Sequence, residues 1–189
     1  TPATITLDTT GGGGTADITI DGAVGDDSSA SNFTLNAGAS GNITLSGAVG
    51  GIRISAMTIV NAQNVNLAAV AAASLQQQAG TGTTTLNGAI DTSAAAGVNL
   101  TTQIIALNQG ITTAGGGTVT FTNAGQLTIA AAGDINADGA VVQNGAGAVS
   151  TAGDITTSND AISFSSAVGV TGAAQFNAGT NTITLSQGG

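Results

Sequence analysis

The amino-acid sequence predicts an all-β fold, a parallel β-helix (β-solenoid) of roughly eight or nine coils with about 20–25 residues in each. Three observations favour this fold: short runs that alternate aliphatic and hydroxyl residues, longer strings that return at regular offsets, and a composition suited to a narrow interior. We expect the whole chain, residues 1–189, to form one solenoid domain.

Short alternating triplets supply the predicted strands. Examples are Ile5-Thr6-Leu7, Ile43-Thr44-Leu45 and Ile183-Thr184-Leu185. Alternation in an extended chain places the two aliphatic side chains on one face and the hydroxyl on the other. A strand of three residues is too short to be stable alone, so we expect each triplet to stack on a similar triplet of the next coil.

Longer strings repeat at offsets that suit one or two turns of a coil. Offsets near 20, or twice that, match the perimeter of a parallel β-helix. The three clearest cases are residues 17–25 returning 25 positions later at 42–50, residues 44–49 returning 41 later at 85–90, and residues 131–135 returning 20 later at 151–155.

Three of the four Phe residues share a local sequence context. Phe33, Phe121 and Phe176 each precede Asn-Ala-Gly, at slightly different distances, and an alternating triplet follows. The distances vary, so we expect the turns to tolerate insertions while the strands keep their register.

The composition indicates a thin, ordered interior. Hydrophobic residues make up 41% of the chain, but Trp and Tyr are absent and Met occurs once, so Ala, Val, Ile and Leu must fill the core. Small and β-branched side chains suit short stacked strands. Despite the 30 Gly residues, a single Pro and a mean hydropathy of +0.34 argue against a disordered linker.

One segment, Ala68–Ala79, also has helical propensity because it is rich in Ala and Gln. Its flanks, Val65-Asn66-Leu67 and Thr83–Leu86, have the pattern of strands. We therefore favour a coil with small inward Ala side chains over a short helix.

The charge balance excludes several partners. Ten Asp face one cation, Arg53, and the net charge is −9. Nucleic-acid binding and attraction to anionic membranes both need clusters of Lys and Arg. No apolar run approaches the roughly 18–20 residues that a membrane span needs, so we expect no direct membrane insertion. Arg53 lies between two Ile residues, and we expect it to point outward and pair with an Asp or a carbonyl.

Several strings resemble a known family. GDIT, NITLSGAVGG, TLNGAI and TTAGGGTVTF are similar to the filamentous-haemagglutinin-like and autotransporter-type passenger repeats of large bacterial adhesins. The resemblance implies a right-handed parallel β-helix that is secreted and displayed on the cell surface. The chain begins and ends inside strand-like patterns and contains no cysteine, and we expect it to be a fragment of a longer repetitive extracellular protein.

The inventory of reactive groups argues against an enzyme. His, Cys, Glu, Lys and Tyr are all absent, which removes the usual bases and the thiol and amine nucleophiles. Two Asp can in principle cleave a glycosidic bond, but the adjacent Asp26 and Asp27 point apart on an extended segment. We expect no catalytic residue.

Calcium is the one cofactor that the residues leave open. Oxygen ligands are abundant, and candidate carboxylates fall into two groups. The competing interpretation is that each Asp accepts hydrogen bonds from amides of Gly-containing turns. The candidates are Asp17, Asp21, Asp26 and Asp27 in one group, and Asp134, Asp138 and Asp154 in the other.

These observations predict a structural or adhesive segment of a secreted or cell-surface bacterial fibre that self-associates end to end. Its partners would be neighbouring repeats, copies of itself, or a glycan or host-cell surface. The alternative is a carbohydrate-binding module. An ice-binding version needs Thr-x-Thr in every coil; residues 4–6, 118–120 and 182–184 qualify, but Ile18-Thr19-Ile20 and Ile52-Arg53-Ile54 do not.

Overall fold

A computed structural model describes residues 3–11, 16–25 and 30–186. This part of the chain contains 22 strands and no helix, and all the strand pairs are parallel. The architecture is a parallel β-solenoid of about eight coils, consistent with the right-handed winding that the resemblance implies.

Each coil passes in turn over three faces, which we call the first, second and third face. The first face is a separate sheet of eight strands, whereas the second and third are joined because two long strands, β5 and β7, each run round the corner between them. The first face contains β2 (Ile18–Ile20), β4 (Ile43–Leu45), β6 (Val65–Leu67), β8 (Thr83–Leu86), β11 (Ile104–Leu107), β14 (Leu127–Ile129), β17 (Val149–Thr151) and β20 (Val168–Val170).

The other two faces follow the same order along the chain. The second face contains Val24, the starts of β5 (Val49–Asn61) and β7 (Val70–Gln77), β9 (Ile90–Thr92), β12 (Ile111–Thr113), β15 (Ile135–Ala137), β18 (Ile155–Thr157) and β21 (Phe176–Asn177). The third face contains β1 (Thr4–Asp8), β3 (Asn32–Asn36), the ends of β5 and β7, β10 (Val98–Thr102), β13 (Val119–Asn123), β16 (Val141–Gln143), β19 (Ile162–Phe164) and β22 (Ile183–Leu185).

The strand register confirms the repeats read from the sequence. Ile18 aligns with Ile43, 25 positions on, and Ile135 aligns with Ile155, 20 positions on. The offset of 41 is two coils, because Leu45 aligns with Leu67 and Leu67 with Leu86. Coil lengths differ because the turns differ in length while the aliphatic triplets stay stacked.

Aligned inward residues form continuous columns. On the third face one column runs from Ile5 through a buried series to Ile183, and its interior members are 0–4% exposed. Backbone hydrogen bonds run along each column from one coil to the next, so burial and backbone pairing act together. The buried members of this column are Phe33, Met57, Leu75, Val98, Val119, Val141 and Ile162.

The Ala-rich segment is extended, as favoured from the sequence. Residues 70–77 form β7, in which Ala72 and Leu75 are fully buried. Small side chains fit here because the segment turns a corner in mid-strand: Val70 pairs with Ile90 on the second face and Leu75 with Val98 on the third.

The shared Phe context does not correspond to one structural position. Phe33 and Phe121 lie inward on the third face, whereas Phe176 lies on the second face, paired with Ile155. The same Asn-Ala-Gly string therefore turns the chain at two different corners. The ring of Phe176 meets that of Phe164 edge to face, with 6.2 Å between their centroids.

Glycine is required at two positions, in different parts of the coil, by the close approach of successive coils. A Cβ added to Gly147 would lie 1.5 Å from the carbonyl oxygen of Gly125. Gly50, with φ of +85°, would place a Cβ 1.9 Å from the Ala71 oxygen. A turn also lies at Gly115-Gly116-Gly117, where the first two glycines have positive φ.

Candidate functional site

Two of the candidate calcium ligands lie on either side of β2, and both point to the next coil. The Asp17 carboxylate accepts hydrogen bonds from the backbone N–H of Asn42 at 2.8 Å and from its side-chain amide at 3.0 Å. The Asp21 carboxylate accepts one from the Ser46 hydroxyl at 3.3 Å. Asp26 and Asp27, the other members of this group, lie outside the described residues.

The second group is only partly brought together. Asp134 and Asp154 occupy the same corner one coil apart, because the strands that follow them are in register. The Asp134 carboxylate accepts the Asp154 N–H at 2.8 Å, and the Asp154 carboxylate accepts the Gln175 N–H at 2.8 Å. Asp138 lies at the opposite end of β15, at a different corner.

Asp138 holds a glycine turn. Its carboxylate accepts the Gly116 N–H at 2.7 Å and the Ser158 hydroxyl at 2.9 Å. These bonds, led by the one from Gly116, lower the pKa of Asp138 from its ordinary value of 3.8. Bonds from the Thr10 hydroxyl, the Thr10 N–H and the Asn36 amide likewise lower the pKa of Asp8.

The described carboxylates thus match the turn interpretation. Each of those above spends oxygen lone pairs on an amide or hydroxyl of its own or an adjacent coil, and no group of three or more metal-binding side chains occurs within the described ranges. Calcium binding stays a prediction of the sequence.

Arg53 forms the contact expected of it. Its guanidinium donates to the carbonyl oxygens of Ala72 at 2.9 Å and Asp91 at 2.8 Å, and to the Asp91 carboxylate at 2.5 Å. The side chain therefore crosses from β5 over β7 to β9. Ile52, however, is 53% exposed, because the register shifts between Val49 and Ile54.

A buried polar corner between the third and first faces was not anticipated. The Gln143 amide, 1% exposed, donates to the Asn123 side-chain oxygen at 2.9 Å and to the Gly145 carbonyl at 2.7 Å. The Asn123 amide donates to Gly125 at 2.6 Å and to Gly147 at 3.2 Å. These side-chain amides donate hydrogen bonds to turn carbonyls that point into the interior of the coil.

The alternation of inward and outward side chains along β13 predicts one of these buried amides. Continuing the inward series Val119, Phe121 by two residues reaches Asn123, so an inward amide could have been read from the sequence. The partners could not, because turn carbonyls have no residue-type signature.

The Thr-x-Thr triplets lie at the same position on the third face, but not every coil has one. Residues 4–6, 118–120 and 182–184 all lie on the third face in the same register columns. Between them the columns are interrupted: Gln76, Asn99 and Val142 take the place of the second Thr. A continuous hydroxyl array of the ice-binding kind is therefore absent from the described part of this face.

Two open, shallow grooves follow the corners of the solenoid, each about 400 Å³ in volume. One lies beside the buried polar corner and includes Thr101, Thr122 and Asn144. The other runs along the second face past Thr112, Asn136 and Thr156, which are stacked one per coil. Their walls offer hydroxyls and amides on a mainly apolar surface.

No protein-family model, curated protein or solved structure matches the chain. The similarity to filamentous-haemagglutinin-like repeats therefore rests on the sequence strings and on a solenoid fold of the kind they imply. Within the described ranges there is no helix that is long and apolar enough to cross a membrane.

Proposed function

We propose that the chain is a rod-forming segment of a secreted or cell-surface bacterial fibre, with a structural or adhesive role and no catalytic activity. The observation that carries this proposal is the stack of about eight coils around a continuous apolar interior, whose walls are wetted by Thr, Ser and Asn. At about 4.8 Å per coil the rod is on the order of 40 Å long.

The composition of the outer surface suits exposure outside the cell. The chain contains one Arg and no Lys, so trypsin-like proteases have a single cleavage site to attack. That site, Arg53, is bonded to the next two coils. Because the chain has no cysteine, coil-to-coil hydrogen bonds and packing hold the rod together, and no disulfide has to form.

Small-angle X-ray scattering of the purified chain tests the rod. We expect an elongated particle on the order of 40 Å long, with a β-type circular dichroism spectrum and resistance to trypsin. A compact, near-spherical particle would contradict the proposal. Antibody labelling of intact, unpermeabilised cells of the encoding organism tests display, and label confined to permeabilised cells would count against a surface role.

A carbohydrate-binding module is the second candidate, and the groove on the second face favours it. Thr112, Asn136 and Thr156 present a polar group in each of three successive coils, a spacing that a linear glycan can follow. Glycan-array binding by the wild type that is lost in Asn136→Leu would support it. As a control, Gln126→Leu changes an exposed residue just before β14, away from this groove, and equal loss in this variant would contradict specific binding at the groove.

A further inference from the structure

The first and last strands of the third face carry the same sequence in the same register. β1 contributes Thr4-Ile5-Thr6-Leu7, and residues 182–185, which include β22, repeat Thr-Ile-Thr-Leu. Ile5 aligns with Phe33 of β3, and Ile183 aligns with Ile162 of β19. The two strands therefore occupy equivalent positions at opposite ends of one column.

The third face has one strand more than the first. Nine described strands form the third face, from β1 to β22, and eight form the first, from β2 to β20. Suppose that a second copy stacks on the last coil of the first, with its β2 beside β20 on the first face. The β22 strand of the lower copy and the β1 strand of the upper copy would then compete for a single place on the third face. Because both strands carry Thr-Ile-Thr-Leu, either one fits that place.

The aliphatic side chains of the first and last strands of this column are partly exposed. Ile5 and Ile183 are 51% and 41% exposed, although the seven buried members of their column are nearly inaccessible. A second copy in the continued register would set Val168 against Ile18 and Val170 against Ile20. All these contacts are between apolar side chains, and covering them is favourable.

Charge selects the orientation of the second copy. Asp8, Asp17 and Asp21 lie in or beside the first two strands, whereas no charged residue follows Asp160. Joining two copies by their first coils would bring like charges together. Joining the first coil of one copy to the last coil of another avoids this repulsion, keeps the strands parallel and leaves an open-ended chain of copies.

We propose that copies of this chain associate head to tail by strand exchange, in which β22 of one copy replaces β1 of the next and pairs with its β3. β22 is the strand that enters because Ser186 follows its triplet where Asp8 follows that of β1. The exchange therefore leaves one carboxylate fewer beside Asp17 and Asp21, at the cost of the bond from the Asn36 amide to Asp8. This inference rests on the rod-forming function and identifies the partner as a second copy.

The natural absence of cysteine permits a direct test by disulfide cross-linking. Within one copy Thr34 aligns with Thr6. In the exchanged junction Thr184 of another copy would take the place of Thr6 opposite Thr34. Aligned residues on neighbouring strands are within the Cα separation that a disulfide needs. In a single copy Thr34 and Thr184 lie near opposite ends of the rod, so only association can join them.

The Thr34→Cys/Thr184→Cys variant, oxidised mildly and run on a non-reducing gel, is expected to give a ladder of dimers and higher multiples. The Thr6→Cys/Thr34→Cys variant is the matched control and is expected to cross-link within one chain, in copies whose β1 still pairs with its own β3. Cross-linking of Thr6→Cys/Thr184→Cys instead would show stacking without exchange and would overturn the proposal. Cross-linking of Thr6→Cys/Ser163→Cys would show that β1 is the entering strand and would overturn it as stated.

Removal of β1 provides a second test. Because β1 blocks the place that β22 enters, deletion of residues 1–9 is expected to tighten association roughly ten-fold or more in sedimentation experiments. A peptide of residues 180–186 should compete for the vacated place and lower that association, whereas a scrambled peptide should not. Unchanged association after deletion would contradict strand exchange. A monodisperse single rod in scattering would refute association while leaving the rod function standing.

Discussion

The coils before and after Ser74 fill their interiors in different ways. Up to Met57 and Ile59 the buried residues are apolar, whereas every polar residue of the described ranges that is buried as a whole lies at Ser74 or beyond. Asn61 is half-buried, but its side-chain oxygen is inaccessible. The same inward column that holds Leu35 and Ile59 in the early coils holds Gln143 in a later one. One backbone geometry thus accepts two kinds of core, one held by packing and one that also pairs with turn carbonyls.

The largest expected effect comes from Phe121 in the later coils. Phe121 is fully buried between Leu100 and Gln143, so Phe121→Ala leaves a cavity and is expected to lower the free energy of unfolding by about 3–5 kcal/mol. Urea unfolding followed by circular dichroism measures it. Phe33→Ala, one coil from the exposed end, should cost less because that end can relax; an equal or larger loss would show that the ends are as rigid as the middle.

The next largest effect is expected at the buried polar corner, where a substitution distinguishes the two kinds of core most clearly. Gln143→Leu keeps the size of the side chain but leaves the Asn123 oxygen without its donor and the Ser166 N–H without its acceptor, so we expect a loss of about 2–4 kcal/mol in unfolding free energy.

Met57→Leu is the matched change in the apolar coils, where volume is conserved and no hydrogen bond is lost, and it should cost less than about 1.5 kcal/mol. The exposed Gln126→Leu should change stability by no more than about 0.5 kcal/mol. If Gln143→Leu behaved like Met57→Leu, the polar corner would not stabilise the later coils.

Arg53 joins the two regions, and its contribution is expected to be small. The ion pair with Asp91 is exposed, with 36% and 52% of the two side chains accessible, so Arg53→Met should cost no more than about 1 kcal/mol. Raising the salt concentration should reduce the difference between variant and wild type. A loss that is larger and independent of salt would show that the bonds to the Ala72 and Asp91 carbonyls, and not the ion pair, are the stabilising contacts.

The sequence was sufficient for the solenoid because each strand is marked by its own residues. Ile18 and Ile43 could be aligned by their common triplet, and the offset of 20 at Ile135 followed from a repeated string. The turns were harder. The contact between Gln143 and Gly145, and that between Asp138 and Gly116, depend on the direction of backbone groups in loops of variable length, which residue identity does not specify.

The smallest expected effect concerns Asp138, the carboxylate that holds the turn at Gly116. Because bonds from the Gly116 N–H and the Ser158 hydroxyl lower its pKa in the folded state, its stabilising contribution is present above the ordinary pKa of 3.8 and is lost as the pH falls through the lower folded value. Asp138→Asn should therefore reduce stability at neutral pH and match the wild type in strong acid. Urea unfolding across this pH range measures the stability of both proteins, and NMR of the carboxyl group measures the pKa of Asp138 in the folded state. A folded-state pKa at or above 3.8 would show that the carboxylate does not hold the turn at Gly116.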